Sequence, residues 1–429
     1  MKNKFLTSTL ILILGGFITR ILGFVIKIVY TRIILEEGVS LHSLVMPTYS
    51  LLITIATLAL PLAISKLVAE EKTRSIKIIC SSVLIVIIVN VLLLTLMFLG
   101  SKFIAYNLLK NKNVYILLLA CTVTLPFVSL SSIVKGYFFG KQRMLPYALS
   151  NSLEQVVRLI LIILFLPYFM KKSVLLAVAA LILFNIVSEI SSVIVFLFFI
   201  PKNAILTKQD LKPNIHVMKD VLDVSLPTVS SRFIGNIGFF FEPILLTNIL
   251  LAVGYSSEFI LMEYGAYNAY SMALLTMPSF FVAAISSALI PEISKFHQKR
   301  NKEMVRRRFY QALSISFVLG LVFSIFILFF KEELLWILYH TKSGANYITV
   351  LAPFFVLFYL ESPIISTLQG LGLASYTMKI TFIGVIIKSI VLATFSFLRI
   401  GIYGLIISEI VNIIFVVGTN FCKIKKVMS

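Results

Sequence analysis

The chemistry open to this chain lies in a few charges set inside apolar runs. Six basic residues, Arg20, Lys27, Arg32, Arg158, Arg232 and Lys388, interrupt segments that are otherwise hydrophobic. Six acids, Glu154, Glu189, Glu242, Glu263, Glu361 and Glu409, lie within such segments or near their ends. A charge at the centre of a bilayer costs roughly 2.5–3.5 kcal/mol on insertion scales, so each needs a partner, a wet cavity or a route to the surface. Arg20 lies about fifteen residues into the first run, roughly 22 Å along a helix, too deep for easy escape to either surface. Lys27 follows seven residues later on nearly the same helical face. A guanidinium grips phosphate through two parallel donors, where an ammonium is only a point charge. Arg20, Lys27 and Arg232 are therefore candidates for binding an anionic, phosphate-bearing substrate in a central cavity. The alternative is that Arg20 and Arg232 each pair with an acid and lock a helix contact. Arg32 lies towards the outer end of its run, where snorkelling to the interface accounts for it.

The other charges read as internal ties. Glu154 precedes Arg158 by four residues, the favourable order for an ion pair on one helix. Lys388 has Glu361 or Glu409 as a bridging partner in the neighbouring runs; alternatively one of these acids couples to a proton or a sodium ion. Glu242-Pro243 joins an acid to a helix breaker and reads as a gate hinge, because proline frees a backbone carbonyl and permits bending. Pro47, Pro61 and Pro278 act likewise or are tolerated kinks. His42, His216, His297 and His340 fall in loops or at span ends and make neither a metal set nor a relay. Cys80, Cys121 and Cys422 show no ligand spacing and read as small hydrophobes. No nucleophile, metal or phosphate-loop motif is present, so no enzyme activity, metal or cofactor is expected.

These residues must be held by membrane-spanning helices. The chain is 59% hydrophobic and 13% charged over 429 residues, with mean hydropathy +1.02, too apolar for a soluble core to hide. Apolar runs of about 20 residues suit helices crossing some 30 Å of hydrocarbon. They lack the two-residue alternation of a membrane β-barrel. The spacing predicts about twelve spans near 5–34, 44–65, 76–99, 114–134, 146–168, 174–200, 221–251, 259–290, 309–330, 346–369, 376–398 and 400–421. The first run has no small-residue cleavage site and reads as a span rather than a removed signal peptide.

A net charge of +20 would suggest nucleic acid for a soluble protein, but here the positive-inside rule explains it and no nucleic acid is expected. With both termini in the cytoplasm, the inner segments carry about three times the Lys and Arg of the outer loops. The join around 201–220 carries two prolines and mixed charge, and a linker at 206–220 divides residues 1–205 from 221–429.

The two parts repeat. Thr19-Arg20-Ile21-Leu22-Gly23 recurs as Ser231-Arg232-Phe233-Ile234-Gly235. Ile64-Ser65-Lys66 matches Ile293-Ser294-Lys295, and Ser132 to Gly136 matches Ser366 to Gly370. The matches keep their order at equivalent spans and favour an all-α protein of two six-helix bundles, related by a pseudo-twofold axis along the membrane normal.

The stretch Gly136-Tyr137-Phe138-Phe139-Gly140-Lys141-Gln142-Arg143-Met144-Leu145-Pro146-Tyr147, followed by Glu154-Gln155 and Arg158, resembles the stage V sporulation protein B family. So do Arg20-Ile21-Leu22-Gly23-Phe24 with Lys27, and Pro61 through Ile64-Ser65-Lys66 to Glu71. The family sits within the multidrug/oligosaccharidyl-lipid/polysaccharide exporter superfamily and is related to lipid II flippases. The resemblance implies two six-helix bundles with alternating access in the cell membrane, and a pyrophosphate-binding role for Arg20. Lipid II flippases carry further arginines where this chain has Leu51 and Ala273, a departure that bears on lipid II as the particular cargo more than on the class of cargo. A flippase for a polyprenyl-diphosphate-linked saccharide or peptidoglycan precursor is expected, among membrane lipids and with a proton or sodium as coupling ion. The alternatives are a cation-coupled multidrug exporter, against which the repeated arginines argue, and a non-transporting scaffold for cell-envelope or spore-wall assembly.

Overall fold

Backbone amides inside hydrocarbon have no water to bond, so long apolar runs close their own hydrogen bonds as helices. The computed structural model describes residues 2–71, 73–199 and 212–428, which are helical with no strand among them. In chain order the helices are α1 (Lys2–Thr57), α2 (Leu60–Glu70), α3 (Ser75–Phe103), α4 (Val114–Gly140), α5 (Met144–Lys172), α6 (Val174–Phe198), α7 (Ile215–Ala252), α8 (Ser257–Gly265) and α9 (Met272–Thr276). They continue as α10 (Ser279–Gln298), α11 (Lys302–Phe329), α12 (Lys331–Tyr339), α13 (Ala345–Gly370), α14 (Ala374–Ser396) and α15 (Tyr403–Met428). Wider π-helical turns extend α3 over Ile104–Leu108 and join α8 to α9 over Ala266–Ser271.

Among the described residues eleven helical stretches are long and apolar enough to cross a membrane. The first, Leu14–Glu70, has 57 residues, roughly 85 Å of helix and nearly three hydrocarbon thicknesses. It holds two crossings that turn at Leu35, where φ is 57° and ψ −177°. With that division there are twelve crossings, the number the hydropathy pattern predicts.

Two crossings are broken, each for a local reason. In the second, Leu58 and Ala59 both take left-handed φ near 48°, just before Leu60-Pro61 opens α2. The break frees the carbonyl of Ala56 inside the protein. It accepts from Ser129 Oγ at 3.0 Å and from Asn90 Nδ2 at 3.5 Å, so neighbouring α4 and α3 supply the missing donors. The expected unbroken span at 259–290 is instead α8, α9 and α10 in series, interrupted at Met277-Pro278, because proline has no amide hydrogen to continue the ladder. There Tyr359 Oη of α13 donates to the Leu275 carbonyl at 2.6 Å. Pro47 and Pro291, by contrast, lie inside unbroken helix.

The chain separates into two compact units, Met1–Phe240 and Phe241–Ser429, and the division falls inside α7. Of the linker expected at 206–220, residues 206–211 lie outside the described residues, while from Ile215 onward the chain is already α7. Val217 and Val221 of α7 are buried with Ile64, Val68 and Ile78 of α2 and α3.

Within each unit one helix, α4 or α13, packs closely through a glycine on the broken crossing. A β-carbon on Gly136 would come 2.9 Å from Pro61 Cα and 3.1 Å from Ile64 Cβ; one on Gly370 would come 2.9 Å from the Ile290 oxygen and 2.8 Å from Ile293 Cβ. The matched residues of the sequence repeat thus make matched contacts. Small residues permit such approach between membrane helices. Gly370→Ala is accordingly expected to cost about 1–3 kcal/mol and lower the melting temperature by several degrees in detergent. Gly418→Ala, whose β-carbon meets nothing within 4 Å, is expected to be neutral or slightly stabilising. Equal melting of the two variants would refute the close-packing account.

Candidate functional site

The cations singled out from the sequence lie in the first unit, on α1 and α7. Arg20 is exposed on the first crossing of α1, and Lys27, two turns on, is half-buried. Arg232 is exposed about seventeen residues into α7, roughly 26 Å from its start. Among the described residues, no acid pairs with Arg20, Lys27 or Arg232. Asn236, one turn beyond Arg232, donates through Nδ2 to Thr54 Oγ1 at 2.6 Å, which fixes this part of α7 against the second crossing of α1.

His42 was not among the candidate site residues. The sequence places it at a span end, but the structure puts it inside the second crossing of α1, with its ring 5.2 Å from that of Tyr30. No feature of the sequence pointed to this contact, which depends on the turn at Leu35 that brings residues before and after it side by side.

The remaining charges form two buried knots. In the first unit, Lys135 Nζ of α4 donates to Glu154 of α5 at 2.8 Å and to Glu189 of α6 at 3.1 Å; Arg158 Nη2 donates to the other Glu154 oxygen at 3.0 Å. Two cations meet two carboxylates, and three helices are tied together. Lys135 lies at the start of the basic stretch 135–143 between two predicted spans, yet its side chain belongs to this knot. In the second unit, Lys388 Nζ of α14 lies 2.6 Å from Glu242 of α7 and 2.5 Å from Glu409 of α15. Tyr264 donates to the second Glu242 oxygen at 3.5 Å.

Glu361 stands apart from the second knot: Lys388 takes Glu242 and Glu409, and no cation among the described residues pairs with Glu361. It borders a cavity of about 320 Å³ between α10 and α13, shared with Ser279, Phe358, Ser362 and Ser366. Lys388 thus meets two carboxylates, whereas the knot of the first unit sets two cations against two carboxylates.

α7 runs on through Glu242-Pro243, where Glu242 is buried in its ion pair. Pro243 follows closely on the division between the units at Phe240–Phe241.

The geometry has counterparts among known proteins. A model described as polysaccharide biosynthesis protein matches residues 5–297, and one described as MatE matches residues 243–395. Stage V sporulation protein B of Bacillus subtilis (strain 168) is 35% identical over all of this chain and 85% of its own length. Lipid II flippase MurJ of the same organism is 24% identical over 90% of this chain and 76% of its own length. Among solved structures, the inward-facing conformation of a multidrug resistance MATE family transporter of the MOP superfamily superposes with a TM-score of 0.78. It is 16% identical and covers 95% of this chain and 94% of its own.

Proposed function

Because the chain belongs to the polysaccharide biosynthesis protein family and has the fold of a multi-pass membrane transporter, we propose that it moves a polyprenyl-diphosphate-linked saccharide or peptidoglycan precursor across the membrane by alternating access. The observation that carries this reading is the set of uncompensated cations on α1 and α7: Arg20, Lys27 and Arg232 bear positive charge within spans and have no acid among the described residues. An anionic ligand supplies the missing charge, and a diphosphate suits the fork of a guanidinium. The polyprenyl tail stays in lipid while the headgroup passes through a polar route. The relative named a lipid II flippase handles a substrate of this class by its name.

Both termini lie in the cytoplasm on this reading, as the distribution of Lys and Arg requires. Glu242-Pro243 serves as the hinge in α7 where one unit gives way to the other, since Pro243 leaves the carbonyl four residues earlier without its helical donor. The coupling cation, a proton or sodium, is taken up by the surplus carboxylates of the second unit, with Glu361 at the cavity.

The reading is tested with purified protein in vesicles bearing a labelled polyprenyl-diphosphate saccharide, by following how fast the label becomes accessible on the far leaflet. Movement above that of empty vesicles is expected. Protection against cationic dyes without movement of the lipid would favour the multidrug exporter instead. In the same vesicles, Glu361→Gln is expected to leave folding intact and to remove the dependence of transport on an imposed proton or sodium gradient. Unaltered gradient dependence would take Glu361 out of the coupling step.

A further inference from the structure

We infer that the turn between α10 and α11, together with the end of α15, is a binding site for anionic phospholipid headgroups. Residues 295–308 hold seven basic side chains, Lys295, Lys299, Arg300, Lys302, Arg306, Arg307 and Arg308, against one acid, Glu303. Glu292 just before them holds only Arg308, at 3.3 Å. Among the described residues the other six pair with no acid, and all six are exposed.

The cluster is built rather than loose. Arg300 takes a left-handed φ of 54° and ends α10, while the Asn301 side chain accepts from the Met304 amide and starts α11. Beneath the turn, Leu289, Ile293, Val305 and Ala312 form a buried core against which Phe296, Leu371 and Met428 pack. That core brings the last turn of α15 to the same end of the unit. There Lys423 lies over the Tyr376 ring at 5.2 Å and Lys425 over Phe421 at 5.0 Å, and on α11 Arg306 lies over Tyr310 at 5.8 Å. Cations held beside aromatic rings at the ends of spans suit the headgroup layer, where one side is apolar and the other wet.

The positive-inside rule alone does not explain this distribution. At the corresponding end of the first unit acids meet part of the positive charge: Lys66 pairs with Glu70, Lys141 with Glu71, and Asp220 and Asp223 share a cavity with Lys66. Orientation needs an excess of basic residues, not an excess left unpaired on one unit. A lipid phosphate is the anion always present at this depth, and basic residues clustered next to a span attract it.

The test uses the full chain in nanodiscs of phosphatidylcholine with 30% phosphatidylglycerol, counting lipids retained after transfer to detergent by native mass spectrometry. The wild type is expected to retain phosphatidylglycerol over phosphatidylcholine, less so as salt rises. A basic residue near a charged surface is worth about a fivefold factor, so Lys299→Gln with Arg306→Gln and Arg307→Gln is expected to weaken that preference roughly a hundredfold. The same variant in phosphatidylcholine alone should melt as the wild type does, since these side chains are exposed. Lys66→Gln with Lys141→Gln is expected to keep the preference. Equal retention of the two lipids by the wild type, an undiminished preference in the triple variant, or stronger binding of RNA or an acidic peptide than of phosphatidylglycerol would each overturn the inference.

Discussion

Replacing Lys388 with alanine is expected to destabilise the second unit by about 3–5 kcal/mol, the cost of stranding buried charge inside a protein. Its ammonium lies 2.6 Å from Glu242 and 2.5 Å from Glu409, and both carboxylates are buried. Without it, two anions from α7 and α15 face each other with no counter-charge, and a third, Glu361, stands nearby. The helices must then separate, admit water or take up protons. Trp336 on α12 is the chain's one tryptophan and belongs to the second unit, so its fluorescence reports on that unit's melting. Restoring neutrality by a different route, Lys388→Met with Glu242→Gln and Glu409→Gln, is expected to recover most of the loss, because a desolvated ion cluster often contributes little beyond an apolar or neutral replacement. Wild-type melting of the single alanine variant would show that the knot is not what holds α7, α14 and α15 together.

Hydropathy made the crossings legible, since length and apolarity alone decide whether a segment can span a bilayer. The internal repeat was legible too, and its best matches turn out to be packing positions: Gly136 on Ile64 and Gly370 on Ile293. Rotational detail was less legible. Lys135 sits where a run of basic residues begins, so it reads as a loop charge, yet the helix carries it one turn further inward to Glu154 and Glu189. Lys388 had two plausible neighbours by spacing; it takes Glu409 and, across 146 positions of sequence, Glu242. Which face a charge turns to depends on helix rotation and on breaks such as that at Leu58-Ala59, and no periodicity in a fully apolar segment reports it. A fourth match between the halves, Ser188-Glu189-Ile190 against Ser408-Glu409-Ile410, marks the carboxylates that α6 and α15 contribute to the two knots.

Substituting Arg20 is expected to act on transport and not on folding. Its side chain is exposed and has no acid among the described residues, so Arg20→Ala should insert and melt as the wild type does. If a diphosphate binds there, removing a charge-assisted, two-pronged contact costs about 3 kcal/mol, or roughly a hundredfold in the concentration of lipid-linked substrate needed for half-maximal movement. Arg20→Lys keeps the charge and loses the fork, and a loss of about tenfold is expected. Arg232→Ala should behave like Arg20→Ala if both cations meet the same headgroup, and the double variant should then fall short of the product of the two single losses, as contacts to one ligand do. A scaffold with purely structural arginines gives the reverse pattern: lower melting temperature and no change in movement per inserted molecule. A cationic-drug exporter gives a third, because removing positive charge would strengthen its hold on a cation. Undiminished movement of the lipid in both single variants, with insertion intact, would remove these arginines from the substrate path and leave the anionic cargo without its binding groups.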